Sequence, residues 1–285
     1  MKTIRLQLQG GLGNQLFIWA MAHELTHVYG AKIKIVYIAD MLQRADRPSE
    51  LTKLVMNCEH AISLGESEIM GLLFRTLDKL SSISQKISLK ISNLLGIYTC
   101  HTPYEIPEFE GSPPRILRGF FQDARMVDRT SLSVAVEIEK TLQDLPPTHL
   151  IQDAMALHMR RGDTRKISKS WGVIADEYYL SIAGNSGKLI ICTDDETGVE
   201  NIVQKFPTAK ILTPQNVTTW ETLKILASAK ELVMANSTLS WWAAWLSLKR
   251  EGNTVYFPSP WRPNETKSFE SLVIPGAIYR PADFE

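Results

Sequence analysis

Six consecutive residues, His158-Met159-Arg160-Arg161-Gly162-Asp163, follow the apolar run Ala154-Met155-Ala156-Leu157. Read as the end of a strand, the run puts His158 and Arg160 on one face and Arg161 on the other. A guanidinium can hold a diphosphate through paired hydrogen bonds and neutralise charge on a leaving group. Arg161, pointing away, is placed to support the loop by pairing with Asp163 or Asp176. The competing reading is a surface ion-pair cluster; the position after a buried strand favours function. The embedded Arg-Gly-Asp tripeptide reads as coincidence.

Two further loops could bind an anion. Gly10-Gly11-Leu12-Gly13-Asn14-Gln15 sits between an alternating segment and a helical one. Glycines let backbone approach a ligand, and a helix N-terminus favours negative charge. A third dinucleotide-fingerprint glycine would fall at Leu16, and no Lys-Ser/Thr pair completes a P-loop. A tight turn with Asn14 as helix cap and a ligand loop fit this spacing equally. In Asn236-Ser237-Thr238-Leu239-Ser240, small hydroxyl residues follow the apolar run ending at Ala235, so that one of Ser237, Thr238 and Ser240 caps the next helix. Trp241, Trp242 and Trp245 lie within that helix; at least one belongs to the core, and another could line a cleft. Asp194-Asp195 offers too few oxygens for a divalent metal and fits an N-cap for a helix starting near Glu196. Trp220-Glu221 opens another predicted helix. No His/Cys metal spacing and no G-x-S-x-G elbow occur.

The elements that position these residues can be read from periodicity. Residues 3–9 and 31–38 alternate as strands around a helix from Asn14, which makes a βαβ unit and implies a parallel sheet. Residues 66–98 read as mostly helical. Their stripe is Ile69, Leu72, Leu73, Thr76, Leu77, Leu80, Ile87, Ile91, Leu94 and Leu95, with Lys79, Lys86 and Lys90 among them. Packing on the first domain is preferred to a membrane-surface role, because the polar face mixes Ser, Gln and Asp and is only weakly basic. Residues 99–123 are Pro-rich, with a short strand at 115–118. Helical patterning returns at 124–142. The segment 143–149, carrying Pro146 and Pro147, is the best linker. Beyond it, strands are predicted at 153–159, 188–193, 209–212, 231–235 and 253–257. They alternate with helices at 176–184, 196–206, 219–229 and 238–249, as in a doubly wound domain. The expected fold is α/β: two Rossmann-like domains, 1–146 and 147–285, facing across a cleft, with the last residues free to pack back on the first.

Composition bounds the partners. The chain has 285 residues, with 31 Lys plus Arg against 31 Asp plus Glu, which argues against a nucleic-acid partner held by bulk charge. The start alternates like a strand and no apolar run approaches membrane-spanning length, so neither a signal peptide nor an integral membrane segment is expected. Three dispersed cysteines, Cys58, Cys100 and Cys192, suit neither a disulfide framework nor zinc. The sequons at Asn216, Asn236 and Asn264 carry no weight without a secretion signal. A cytoplasmic protein is expected.

Taken in order, Gly10-Gly-Leu-Gly-Asn-Gln-Leu-Phe17, Gly119-Phe-Phe-Gln122, His158-Met-Arg-Arg-Gly-Asp163, Thr193-Asp-Asp195 and Asn236-Ser-Thr-Leu-Ser-Trp-Trp-Ala-Ala-Trp-Leu246 resemble the bacterial α-1,2-fucosyltransferases over residues 4–262. The resemblance implies a GT-B enzyme that moves L-fucose from GDP-fucose to the 2-hydroxyl of a terminal β-galactoside, with inversion and without a metal. It implies that Arg160 binds the β-phosphate, His158 contacts the nucleotide and Asn14 lies near the reacting centre. Ser237, Thr238 and Ser240 would hold phosphate and ribose. Glu221 is the nearest acid to the position that reads guanine in relatives. Gly11, Gly13 and Asp194 complete the donor-binding set. Arg160, Asn14 and Asp163 form the catalytic set, Asp163 as the nearest candidate base. The partners implied are GDP-fucose and a β-galactoside oligosaccharide, at the inner face of a bacterial membrane if association there is peripheral. Oligomeric state is not set by the sequence. A dinucleotide-dependent oxidoreductase and a non-catalytic sugar-binding protein are the alternatives from other classes. The missing third glycine and the lack of an acid closing the second strand before Asp40 argue against the former.

Overall fold

A computed structural model describes residues 2–37, 50–55, 62–109, 113–147, 153–162, 165, 171–184, 186–263 and 270–285. The chain divides into two compact units, Met1–Thr141 and Leu142–Glu285.

Unit 1 is built on a five-stranded parallel sheet in the order β3-β2-β1-β5-β4. The strands are β1 (Thr3–Gln7), β2 (Lys32–Tyr37), β3 (Ile62–Glu66), β4 (Ile97–Thr99) and β5 (Ile116–Arg118). Ile4 and Leu6 turn inward from β1 while Thr3 and Arg5 stay exposed, the period-two pattern read from the sequence. Helix α1 (Leu12–Tyr29) links β1 to β2 and is buried along almost its whole length up to Leu25, ending on the left-handed Gly30. The short α2 (Thr52–Val55) precedes β3. Helices α3 (Glu68–Ile83) and α4 (Gln85–Leu95) form a hairpin turned at Ser84. Helices α5 (Ala124–Arg129) and α6 (Ser131–Gln143) follow β5. In this unit a buried carboxylate, Glu137, accepts the indole N–H of Trp19 at 2.7 Å and lies 2.9 Å from His23 Nε2.

Unit 2 carries a six-stranded parallel sheet ordered β11-β10-β9-β6-β7-β8. Its strands are β6 (Met155–Met159), β7 (Leu189–Thr193), β8 (Lys210–Leu212), β9 (Glu231–Val233), β10 (Thr254–Ser259) and β11 (Ile278–Pro281). Every residue of β6 and β7 is buried, as central strands of a parallel sheet covered on both faces must be. Helices α7 (Asp176–Ala183), α8 (Glu200–Lys205), α9 (Thr219–Ser228) and α10 (Thr238–Ser247) occur where the periodicity placed them.

Strand order reverses between β1 and β5 in unit 1 and between β6 and β9 in unit 2. These are the switch points, where successive crossovers diverge and leave a crevice at the carboxyl ends of the strands.

Two expectations need correction. The stretch 66–98 is bounded by strands the periodicity missed: β3 runs into Glu66, and β4 starts at Ile97 once the left-handed Gly96 has ended α4. β11 extends the unit 2 sheet beside β10, Phe284 bridges Ile174, and Glu285 lies 3.7 Å from Arg161. The hairpin α3–α4 packs by one face only: Phe74 and Leu77 are buried, whereas Ile69, Leu72 and Leu94 remain exposed.

Candidate functional site

The switch point of unit 2 gathers most of the residues singled out by sequence. β6 delivers His158 and Arg160 to its carboxyl end, and the loop after β9 delivers Asn236 through Ser240 beside it. Ser237 caps α10, its hydroxyl accepting the Leu239 N–H at 3.3 Å, and it also accepts from Arg160 Nη1 at 3.2 Å. One hydroxyl therefore both starts the helix and steers the guanidinium. Thr238 follows, buried, as the first residue of α10.

His158 Nδ1 meets the Ser240 hydroxyl, which also accepts the Ala235 N–H at 3.1 Å. An oxygen that takes a backbone N–H still has its own proton to give. The hydroxyl can therefore donate to Nδ1 of the neutral ring or, through its second lone pair, accept from it. Burial pushes the His158 pKa down to about 4, with the positive charge of Arg160 adding to the effect and Asp194 opposing it. The ring is thus a neutral hydrogen-bonding group at physiological pH, and Arg160 is the cation beside it. Ser240 is itself fully buried behind His158.

Arg161 turns the other way, as alternation requires. Its guanidinium donates to Asp176 Oδ1 at 2.5 Å, to the Gly198 carbonyl at 2.5 Å and to the Ile174 carbonyl at 3.1 Å. The strand end is fixed from the far side by this buried fork. Asp194 Oδ1 accepts the N–H groups of Arg161 at 2.8 Å and Gly162 at 3.0 Å, so this acid shapes the loop after β6. A Cβ on Gly162 would stand 2.9 Å from the Asp194 carbonyl, which is why the close turn takes glycine. The helix-start role expected of the aspartate pair falls to Asp195 alone, which accepts from the Thr197 hydroxyl at 2.8 Å and the Gly198 N–H at 3.1 Å. Glu221 closes a capping box at the start of α9, accepting the Thr218 N–H at 2.8 Å. Asp163 lies outside the described residues. Trp241, Trp242 and Trp245 are all buried and in mutual ring contact, so none lines a cleft.

The switch point of unit 1 holds the glycine loop. Gly10 adopts φ +75°, and Gly11 rather than Asn14 is the N-cap of α1, with no side chain serving the cap. Asn14 sits within the first turn, where its Oδ1 accepts from Gln122 Nε2 at 2.9 Å across 108 positions of sequence. Gln15 is fully buried and pins the loop, donating to the Gly10 carbonyl at 2.9 Å and accepting the Glu50 N–H at 2.9 Å. Phe121, buried and non-glycine, holds φ +54° beside Gln122, a strained conformation of the kind that clusters at functional sites. The turn reading and the ligand-loop reading of Gly10–Gln15 thus share one structure: a tight turn whose uncapped helix start, at Gly11 to Asn14, remains an anion-friendly end. A cavity of about 230 Å³ opens at the carboxyl ends of β1, β5 and β4, lined by Gln7, Gln9, His101 and Arg118 among others.

Two participants escaped the sequence reading. Asn236 donates to the carbonyls of Trp171 at 2.8 Å and Gly172 at 3.1 Å and so ties the β9–α10 loop to the segment before α7. Gln122 orients Asn14; its motif was visible, but no spacing rule pairs positions that far apart. Among the described residues, no group of three or more His, Cys, Asp or Glu could hold a metal ion. No helix among them is long and apolar enough to cross a membrane.

The family model described as glycosyl transferase family 11 matches residues 3–280. An O-antigen biosynthesis glycosyltransferase, WbnK, of Escherichia coli is 23% identical over 92% of this chain and 95% of its own. An alpha-1,2-colitosyltransferase of Escherichia coli is 23% identical over 95% of this chain and 96% of its own. Among solved structures, the E. coli heptosyltransferase WaaC with ADP superposes with a TM-score of 0.50 at 14% identity, covering 98% of this chain and 93% of that one, a likeness of fold.

Proposed function

The chain belongs to glycosyl transferase family 11, with an α/β fold of the GT-B type, and on that premise we propose that it moves L-fucose from GDP-β-L-fucose to the 2-hydroxyl of a terminal β-galactoside, with inversion, in the assembly of a surface glycan. The observation that carries the reading is the juxtaposition of Arg160 and the N-terminus of α10 at the unit 2 switch point, with Ser237 holding both. That arrangement suits a nucleotide diphosphate. Arg160 and the first-turn N–H groups of α10 are oriented before the substrate arrives, so negative charge growing on departing GDP meets donors already in place. His158, neutral, adds a hydrogen bond without adding charge. The opposed arginines divide the labour: Arg160 serves the donor, and Arg161, with Asp194, fixes the loop. Asp163 is the base that removes the acceptor proton, and Asn14, oriented by Gln122, is the residue of the glycine loop assigned to the reacting centre.

The relatives support the finer points. A linkage to a 2-position is in the name of the α-1,2-colitosyltransferase, and a surface polysaccharide in that of the O-antigen enzyme. The transfer needs no resident metal, because the side chains and helix end supply the countercharge. A thermal-shift panel of GDP, UDP and NAD tests the donor class: stabilisation by GDP above UDP is expected, and stabilisation by NAD alone would return the chain to the oxidoreductases. Turnover of GDP-fucose should persist in EDTA; loss restored by Mn²⁺ would refute the metal-free mechanism.

A further inference from the structure

The hairpin α3–α4 of unit 1 has two apolar sides. The inner one is ordinary core: Phe74 and Leu77 of α3 cluster with Ile97 and Ile116, and Met70, Leu73 and Ile91 pack against them. Ser88 binds the two helices together, its hydroxyl donating to the Leu77 carbonyl at 3.2 Å. Both helices thus turn one side to the same core and the opposite side away from it.

On that opposite side of α3 stand Ile69, Leu72, Thr76, Lys79 and Ile83, at spacings of three and four that keep them on one stripe. Ile69 is 83% exposed, Leu72 64% and Ile83 74%. Thr76 donates its hydroxyl to the Leu72 carbonyl at 2.8 Å, which satisfies it within the helix. On α4, Ile87 and Leu94 stand on one flank, Leu94 86% exposed, and Leu89 stands on the other, with Lys86 and Lys90 on the ridge between them. Monomeric surfaces seldom leave so many large aliphatic side chains together in water.

We propose that this face docks on an anionic lipid bilayer, lying in the plane of the interface with its aliphatic side chains in the acyl boundary and its lysines at the headgroup phosphates. The charges select this occupant. Lys79, Lys86 and Lys90 lie among the apolar positions. Of the two acids on the hairpin, Glu68 is exposed on the α3 stripe, one turn before Leu72, and Asp78 is held by Arg118 at 3.0 Å. A second copy fits poorly, because a two-fold contact through this face would set the lysines against one another with only Glu68 of each copy to answer three of them. A bilayer with anionic headgroups answers both the apolar stripe and the lysines. The association proposed is peripheral, through this face alone. The inference concerns a surface apart from the switch-point residues and does not depend on the identity of donor or acceptor.

The test is flotation of the full chain with vesicles of phosphatidylcholine, alone or mixed with phosphatidylglycerol, at low and high salt. The chain should float with the mixed vesicles, bind the neutral ones weakly and loosen in high salt. The variant Leu72→Ser/Ile83→Ser/Leu94→Ser should lose about tenfold in affinity for each aliphatic group removed. The variant Lys79→Gln/Lys86→Gln/Lys90→Gln, a second probe should the first fold poorly, should lose the preference for anionic vesicles. Turnover of a water-soluble acceptor should match that of the wild type in both, which keeps a failure of docking distinct from a failure of transfer. The proposal is overturned if the wild type stays with the lipid-free fraction, or if both variants float as it does. It is equally overturned if sedimentation velocity finds a wild-type dimer that the serine variant converts to monomer.

Discussion

Replacing Arg160 and Arg161 by alanine, one at a time, asks whether two adjacent arginines do different work. Arg161 is buried, and its side chain serves Asp176, itself mostly buried, and the carbonyls of Gly198 and Ile174. Arg161→Ala removes the cation and leaves a carboxylate and two carbonyls short of a donor. Breaking a buried pair in this way costs about 3–5 kcal/mol. At roughly 2–4 °C per kcal/mol for a unit of this size, the melting temperature of unit 2 should fall by roughly 10 °C. Arg160 is half-buried and gives Ser237 a hydrogen bond at 3.2 Å, worth about 1 kcal/mol, so Arg160→Ala should melt within about 3 °C of the wild type. Its penalty should fall on chemistry instead: loss of a preorganised cation at the leaving group lowers turnover by about 10²–10³ or more. Differential scanning calorimetry and GDP-fucose turnover read the two effects separately. The reasoning fails if Arg160→Ala retains substantial turnover, or if Arg161→Ala melts with the wild type.

His158 gives a pH prediction with a definite sign. Its folded pKa of about 4 lies below the ordinary value of 6.5, so the folded state refuses a proton that the unfolded chain accepts. Stability from this residue is complete above pH 6.5 and is lost as pH falls towards 4, by roughly 3 kcal/mol in all. Urea titrations at pH 7.5, 5.5 and 4.5 should show a shallower decline in His158→Gln than in the wild type; equal declines would contradict the placement. In unit 1, Glu137→Ala strands the Trp19 indole N–H and removes the partner of His23, and should cost about 3 kcal/mol in chemical denaturation while the folded fraction keeps its turnover. Asn14→Ala should lower kcat more than KM for the donor while stability changes little, and an unchanged kcat would remove Asn14 from the reacting centre.

Much of this arrangement is legible in the sequence because strand ends announce themselves. Fully apolar runs such as 154–157 and 232–235 can be buried on both faces only in a covered parallel sheet, and the polar residues that follow them must emerge at its carboxyl edge. Alternation alone separates Arg160 from Arg161. What escapes is either short or distant. β4 has three residues, too few to establish a period, and β11 is a largely exposed edge strand entered from Pro275 and Gly276. Helix α10 is apolar on every side, so spacing cannot say which tryptophan faces what, and burial claims all three. The pairing of Asn14 with Gln122 is a product of sheet order. The hairpin α3–α4 shows a subtler failure: its aliphatic residues form two stripes rather than one, and only packing reveals that a single stripe is covered.

The central claim is tested most directly by incubating the chain with GDP-fucose and a panel of β-galactosides and determining the linkage of the product by NMR. The account predicts an α-fucosyl group on the 2-hydroxyl of the terminal galactose, formed from the β-linked donor and absent with Arg160→Ala. A fucosyl group at another position or with retained configuration, or no transfer to any galactoside while GDP still binds, would contradict it.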